Sequence, residues 1–123
     1  MGTWTYSQKT GNLYDPTGLL VGQGYSGAQP YVNRPLAEGR ENEGPIPTGD
    51  YTMLSAYDHD NLGPCAIPLE PAPDNEMHGR DDFFIHGDTA SMDQTASQGC
   101  IIMTRAVRDL INASDVKELV VVV

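Results

Sequence analysis

The sequence predicts a mainly β fold, a sandwich or partly closed barrel with one short helix late in the chain. Three observations carry that expectation. Glycine and proline are plentiful, 13 and 9 of 123 residues, while the hydrophobic share is a modest 39%; this mixture suits short strands joined by tight turns. Short runs rich in aromatic and β-branched residues recur between turn-forming stretches. Only one segment has clear helical periodicity. With 123 residues, the span 1–123 reads as a single domain, long enough to bury an ordinary core.

The elements follow in order. "TWTYSQ" reads as a first strand, and "GNLYDPTGLLVGQGYSG" as a hairpin with glycine-rich turns. Residues 26–48 carry several prolines and charges and read as loop. Within and after it, "GPIPTGDY" reads as a structural turn, with Pro47 and Gly49 shaping the backbone that enters a strand at Tyr51–Ala56. The stretch from Asp58 to Asp81 reads as mostly irregular, with one short strand at Cys65–Leu69, and its "DHD" run as a solvated loop. "DFFIHG" is a buried-looking strand ending at His86, and "GCIIM" another beginning at Cys100. In "TRAVRDLINA" Thr104 can cap a helix whose Val107, Leu110 and Ile111 share a face. "KELVVVV" closes as an apolar strand central in a sheet, and Trp4 and Tyr6 read as core.

The formal net charge of −10 argues against nucleic acid and against an anionic membrane surface, both of which require a basic face. No apolar run approaches the length of a membrane span, and the first residues lack the basic and apolar regions of a signal peptide. The two cysteines, Cys65 and Cys100, do not make a disulfide framework. Cys65 reads as a free, small buried hydrophobe.

The chemistry concentrates in "FFIHGDTASMDQTASQGCIIM". His86 ends one apolar run, Cys100 begins the next, and a polar segment separates them. A thiol is a poor nucleophile until it loses its proton, and a neighbouring imidazole can accept that proton and hold the thiolate as an ion pair. Gly99 lets the backbone approach a substrate and can leave the Gly99 and Cys100 N–H groups free for an oxyanion, while a carbonyl near residue 87 can orient the imidazole. The residues alone also admit half of a metal site or two packed side chains. His59 and His78 add to the metal reading, but no pair has a compact ligand spacing such as HxxxH or CxxC, so no metal or other cofactor is expected. Asp81, Asp82 and Asp88 do not mark a converging glycosidase pair.

"IHGD…ASQGCIIM" resembles the signature of L,D-transpeptidases of the YkuD type, and the surroundings resemble the L,D-transpeptidase-like effectors of type VI secretion systems and related prophage proteins. "GYSG", "GPIPTGDY", "MHGRDDFFIHGD" and "SQGCI" occur in matching order, so the likeness runs from about residue 4 to the end. The resemblance implies that Cys100 is the nucleophile and His86 its base, that the Gly87 carbonyl orients the imidazole, and that Gly99 with Cys100 forms the oxyanion hole. It implies substrate-side roles for Arg80, Ser97 and Gln98, with Arg80 meeting a carboxylate and Ser97 also shaping the loop. Two departures stand out: Gln98 where the best-known members carry histidine, and Ile102 where they carry arginine.

The function so implied is a cysteine enzyme that acts on tetrapeptide stems of peptidoglycan through a thioester, as an L,D-carboxypeptidase, an L,D-transpeptidase or a D-amino-acid exchanger. The expected protein is a monomeric interbacterial toxin made in the cytoplasm. Its expected partners are a secretion-apparatus carrier and an immunity protein, and its place of action is a target bacterium's periplasm, or the host wall if it is phage-encoded. The alternatives are a non-enzymatic wall-binding or phage structural module on the same scaffold, and a zinc-dependent peptidase.

Overall fold

The computed structural model describes residues 2–88, 97 and 99–123. Its strands are β1 (Trp4–Ser7), β2 (Asn12–Tyr14), β3 (Leu20–Gln23), β4 (Tyr25–Ser26), β5 (Gly49–Met53), β6 (Tyr57–His59), β7 (Gly63–Pro71), β8 (Phe83–His86), β9 (Ile101–Ile102) and β10 (Glu118–Val122). The helix α1 (Arg105–Ala113) lies between β9 and β10.

The strands form one sheet in the order β3-β2-β1-β10-β5-β7-β8-β9-β4, with β6 on β7. Its two end strands, β3 and β4, are separated in sequence only by Gly24. The sheet therefore curls until its ends meet at that residue, which gives the expected mainly β, nearly closed barrel with a single helix among the described residues. Gly24 is held from both sides: its N–H donates to the Gly11 carbonyl at 2.8 Å, and a Cβ there would overlap the Ile102 carbonyl oxygen of β9.

As expected, "KELVVVV" is central: β10 runs parallel to β1 and antiparallel to β5. Leu119 and Val121 are buried while Val122 is 40% exposed, so the strand alternates as a half-buried strand does, rather than being covered on both faces. Trp4 and Tyr6 of β1 are core residues, packed with Leu13, Ile46 and Met53. Burial of each large apolar side chain of this kind contributes roughly 1.5–3 kcal/mol.

Two elements differ from expectation. Residues 57–71 form a hairpin of β6 and the long β7, not an irregular stretch with a short strand. The prolines that argue against a strand are accommodated by a bulged backbone, with Cys65 at φ +57° and a register shift between Tyr57 and His59. The buried face of α1 is Val107, Arg108 and Ile111, while Leu110 is 50% exposed. At 100° per residue Leu110 falls on the flank, and Arg108 turns inward because three backbone carbonyls receive it: Met103 at 3.1 Å, Pro64 at 2.7 Å and Cys65 at 3.1 Å. Thr104 caps the helix, its hydroxyl accepting from Val107 N–H at 3.4 Å.

Gly24→Ala is expected to destabilise the protein by about 2–3 kcal/mol, because the methyl forces β4 and β9 apart where the barrel closes. Denaturant melts check this; an unchanged midpoint would mean that the ends of the sheet yield freely.

Candidate functional site

The site is built on two short parallel strands. β8 and β9 pair in the register Ile85↔Ile101 and His86↔Ile102. Ile85 and Ile101 point together into the core, each with no exposed surface. Side chains alternate along a strand, so Phe84, His86, Ile102 and, one residue beyond β9, Cys100 belong to the opposite face. His86 and Cys100 both line a cleft of about 600 Å³, together with residues of the β6–β7 hairpin and of the segment before β8.

His86 is 3% exposed. Its Nδ1 lies 2.8 Å from the Gly87 carbonyl oxygen, an acceptor only, so Nδ1 carries the proton and donates it. The lone pair of the neutral ring is therefore at Nε2. Burial pushes the imidazole pKa below its usual value; the Gly87 bond opposes this, and the nearby charge of Arg108 adds to it. Cys100 keeps part of its surface exposed, yet enclosure of the sulfur pushes the thiol up to about 11, against the Phe84 N–H, with Asp82 adding to the rise. The thiol faces the Asp82 carbonyl at 3.8 Å. Both shifts favour the uncharged forms. Burial of both groups thus works against the ion pair that a thiol and an imidazole can form.

The turn before Cys100 is pinned from below. Ser97 is buried, and its hydroxyl accepts from Gly27 N–H at 2.9 Å and Gly99 N–H at 3.0 Å while donating to the Cys100 carbonyl at 2.6 Å. Ser26 donates to the Gly99 carbonyl at 2.8 Å and accepts from Ile46 N–H at 2.8 Å. Two expectations change. Ser97 shapes the turn, as expected, but its hydroxyl is committed to main-chain groups and is not left for a substrate-side role. The Gly99 N–H is committed to Ser97 and is not a free oxyanion donor, which leaves the Cys100 N–H as the member of that pair not held by Ser97. Gly99 is needed for another reason: its φ is +137°, and a Cβ would strike the Arg80 guanidinium and the Phe83 ring.

Arg80 borders the cleft but is 6% exposed. Its guanidinium donates to the carbonyls of Glu38, Pro45 (2.8 Å) and Gly44 (2.9 Å) and lies over Phe83. The expectation that it grips a substrate carboxylate is revised: it anchors the 38–45 loop, because main-chain acceptors already meet its planar donors. Gln98 lies outside the described residues. His78 pairs with Glu38 at 3.1 Å and does not line the cleft. Cys65 is free and buried, as expected. Asp81 and Asp82 line the cleft, whereas Asp88 borders a second cavity and accepts from the Tyr25 hydroxyl at 2.7 Å.

Sequence reasoning passed over three residues that matter here. Ser26 lay inside the quoted "GYSG", and only its long-range bonds reveal its role. Arg108 was masked by its helical surroundings. His59, taken for part of a solvated loop, is half-buried in the cleft wall; the alternation of Tyr57 and His59 was the available signal.

Two outcomes follow from this geometry. Alkylation of Cys100 by a small neutral reagent should be slow at pH 7 and climb steadily above pH 9, as the thiolate fraction grows toward the raised pKa; a profile flat from pH 6 to 8 would reveal a standing ion pair. Arg80→Lys should destabilise the fold by about 2–4 kcal/mol, through lost charged hydrogen bonds, and lower turnover of every substrate alike. A loss confined to substrates with a free carboxylate, at an unchanged melting temperature, would restore Arg80 to the binding site.

The model of one protein family, the Tlde1 domain, matches residues 21–123, which takes in the whole cleft and the turn beneath it. No curated protein matches the chain. The chain belongs to the Tlde1 domain family, type VI effector domains of the L,D-transpeptidase-like kind.

Proposed function

We propose that the protein is a peptidoglycan-modifying type VI effector, and that its chemistry is cysteine acyl transfer on tetrapeptide stems. The observation that carries this reading is the shared face of β8 and β9: a thiol and an imidazole with its basic nitrogen at Nε2 open into one cleft. Membership of the Tlde1 domain family supports the effector part.

In this mechanism the Cys100 sulfur attacks the carbonyl carbon between the L-centre of the third residue and the terminal D-alanine. His86 Nε2 takes the thiol proton as the C–S bond forms, so the high thiol pKa is overcome during attack and not before it. The low imidazole pKa keeps the base uncharged at neutral pH. As the tetrahedral intermediate collapses, the C–N bond breaks and His86 returns the proton to the departing D-alanine amine. The thioester then passes its acyl group to water, to a free D-amino acid or to the amine of a second stem, giving trimming, exchange or cross-linking. Every proton is exchanged between Cys100, His86, substrate and acceptor, so the sequence of steps closes without a cofactor. Among the described residues no three His, Cys, Asp or Glu side chains form a metal-binding group, and the zinc peptidase reading gains no support from them. Action in a recipient's periplasm, a carrier and an immunity protein belong to the same proposal.

Cys100→Ala should abolish turnover of tetrapeptide stems and leave the melting temperature within a few degrees of wild type. His86→Ala should slow acylation by roughly 10³–10⁴-fold, the scale of losing a general base in such a pair. Mass spectrometry of stem digests and trapping of the acyl-enzyme measure both. Undiminished turnover by Cys100→Ala would remove the nucleophile assignment, whereas no turnover by the wild-type protein would favour a wall-binding module that carries no chemistry of its own.

A further inference from the structure

The cleft holds a second histidine with a defined tautomer. His59 ends β6 and is half-buried in the wall of the cleft. Its Nδ1 receives two backbone donors, Asn61 N–H at 3.0 Å and Leu62 N–H at 3.2 Å. Main-chain N–H groups can only donate, so Nδ1 is the acceptor and the ring proton sits on Nε2. That Nε2–H has no hydrogen-bond partner among the described residues. The ring is held in place: it packs edge-on against Phe84, with centroids 5.2 Å apart, and against Tyr57 at 5.7 Å. Phe84 is the residue opposite Cys100 when the β8–β9 register is extended by one position, and its N–H is beside the sulfur. His59 is also near enough to His86 to help depress its pKa.

Besides the Cys100 N–H, which Ser97 does not hold, several donors near the sulfur are committed. The Gly99 N–H is bound to Ser97, the Arg80 guanidinium donates to three carbonyls, and His86 Nδ1–H is bound to Gly87. Asp81, Asp82 and Glu41 on the cleft's rim are acceptors when ionised and repel a developing oxyanion. An acyl-transfer site in such surroundings gains from a second donor to stand with the Cys100 N–H, and the His59 Nε2–H in the cleft wall is available as one.

We propose that His59 is a substrate-facing residue whose Nε2–H hydrogen-bonds the carbonyl oxygen of the acyl group under attack, supplying the oxyanion donor that Gly99 does not. This rests on the acyl-transfer reading of Cys100. His59 supplies only a hydrogen bond: the proton stays on Nε2, and the proton that moves is the one exchanged through His86.

The two ends of the imidazole can be mimicked separately. In His59→Gln the side-chain NH₂ reaches the Nε2 position, and the Nδ1 acceptor is lost. In His59→Asn the side-chain oxygen replaces Nδ1 as acceptor for Asn61 and Leu62, and the cleft-facing donor is lost. The proposal expects His59→Asn to hold the wild-type melting temperature yet turn over tetrapeptide stems about 10²-fold more slowly, the scale of one oxyanion donor. His59→Gln should melt lower but keep its rate within roughly 5-fold, well above His59→Asn. The reverse order, with His59→Asn the more active, would make His59 a turn cap alone and overturn the proposal. Rates that follow melting temperature in both variants would do the same. Binding of the uncleaved tetrapeptide, measured by calorimetry with both substitutions on a Cys100→Ala background, separates this from the nucleophile assignment. Weaker binding with Asn than with Gln supports the His59 contact even if Cys100 proves not to attack, and equal binding together with equal rates rejects it.

Discussion

The site depends on the parallel pairing of β8 with β9. A parallel partner cannot be reached by a tight turn; the chain must travel back along the strand before it pairs, which takes a dozen residues or more. That requirement accounts for the polar segment between His86 and Cys100. The register then decides the chemistry, because a shift of one residue in either strand would send one of the two side chains into the core and its apolar neighbour into the cleft. Ile85 and Ile101, each fully buried, hold the register against that shift.

Beneath the pair lies a polar support that joins distant parts of the chain. Ser26 and Gly27 after the closure point, Gly44 to Ile46 from the long loop, Arg80 before β8 and Ser97 before Cys100 all meet at the Gly99–Cys100 turn. Each buried donor finds a main-chain or hydroxyl acceptor. Such a network is stiff because any lost member leaves a buried polar group without a partner, at a cost of about 1–3 kcal/mol. The turn that carries the thiol is consequently held in place although β9 itself is only two residues long.

Electrostatics give the cleft its character. A chain with a net charge of −10 lines it with carboxylates, and its nearest guanidinium is turned away to the 38–45 loop. Enclosure disfavours charge on both the thiol and the imidazole. Such surroundings fit the proposed transfer of the proton during attack better than a stored thiolate.

Much of this was legible in the residues themselves. The β-rich class, the capped helix, the central final strand and the His86–Cys100 constellation follow from local patterns: turn residues at short intervals, alternation, a Thr cap, and a histidine and a cysteine at strand edges. The hairpin at 57–71 was obscured because Pro64, Pro68 and Pro71 argue against a strand unless a bulge and a flanking partner accommodate them. Arg108, Ser26, Arg80 and His59 take their roles from bonds to backbone groups far away in sequence or, for His59, from a turn that forms only within its hairpin. Composition and local pattern determined which strands and which reactive groups this protein has. Only the tertiary structure decided which donors remain free to meet a substrate, because a hydrogen bond to a distant carbonyl leaves no trace in the order of the residues.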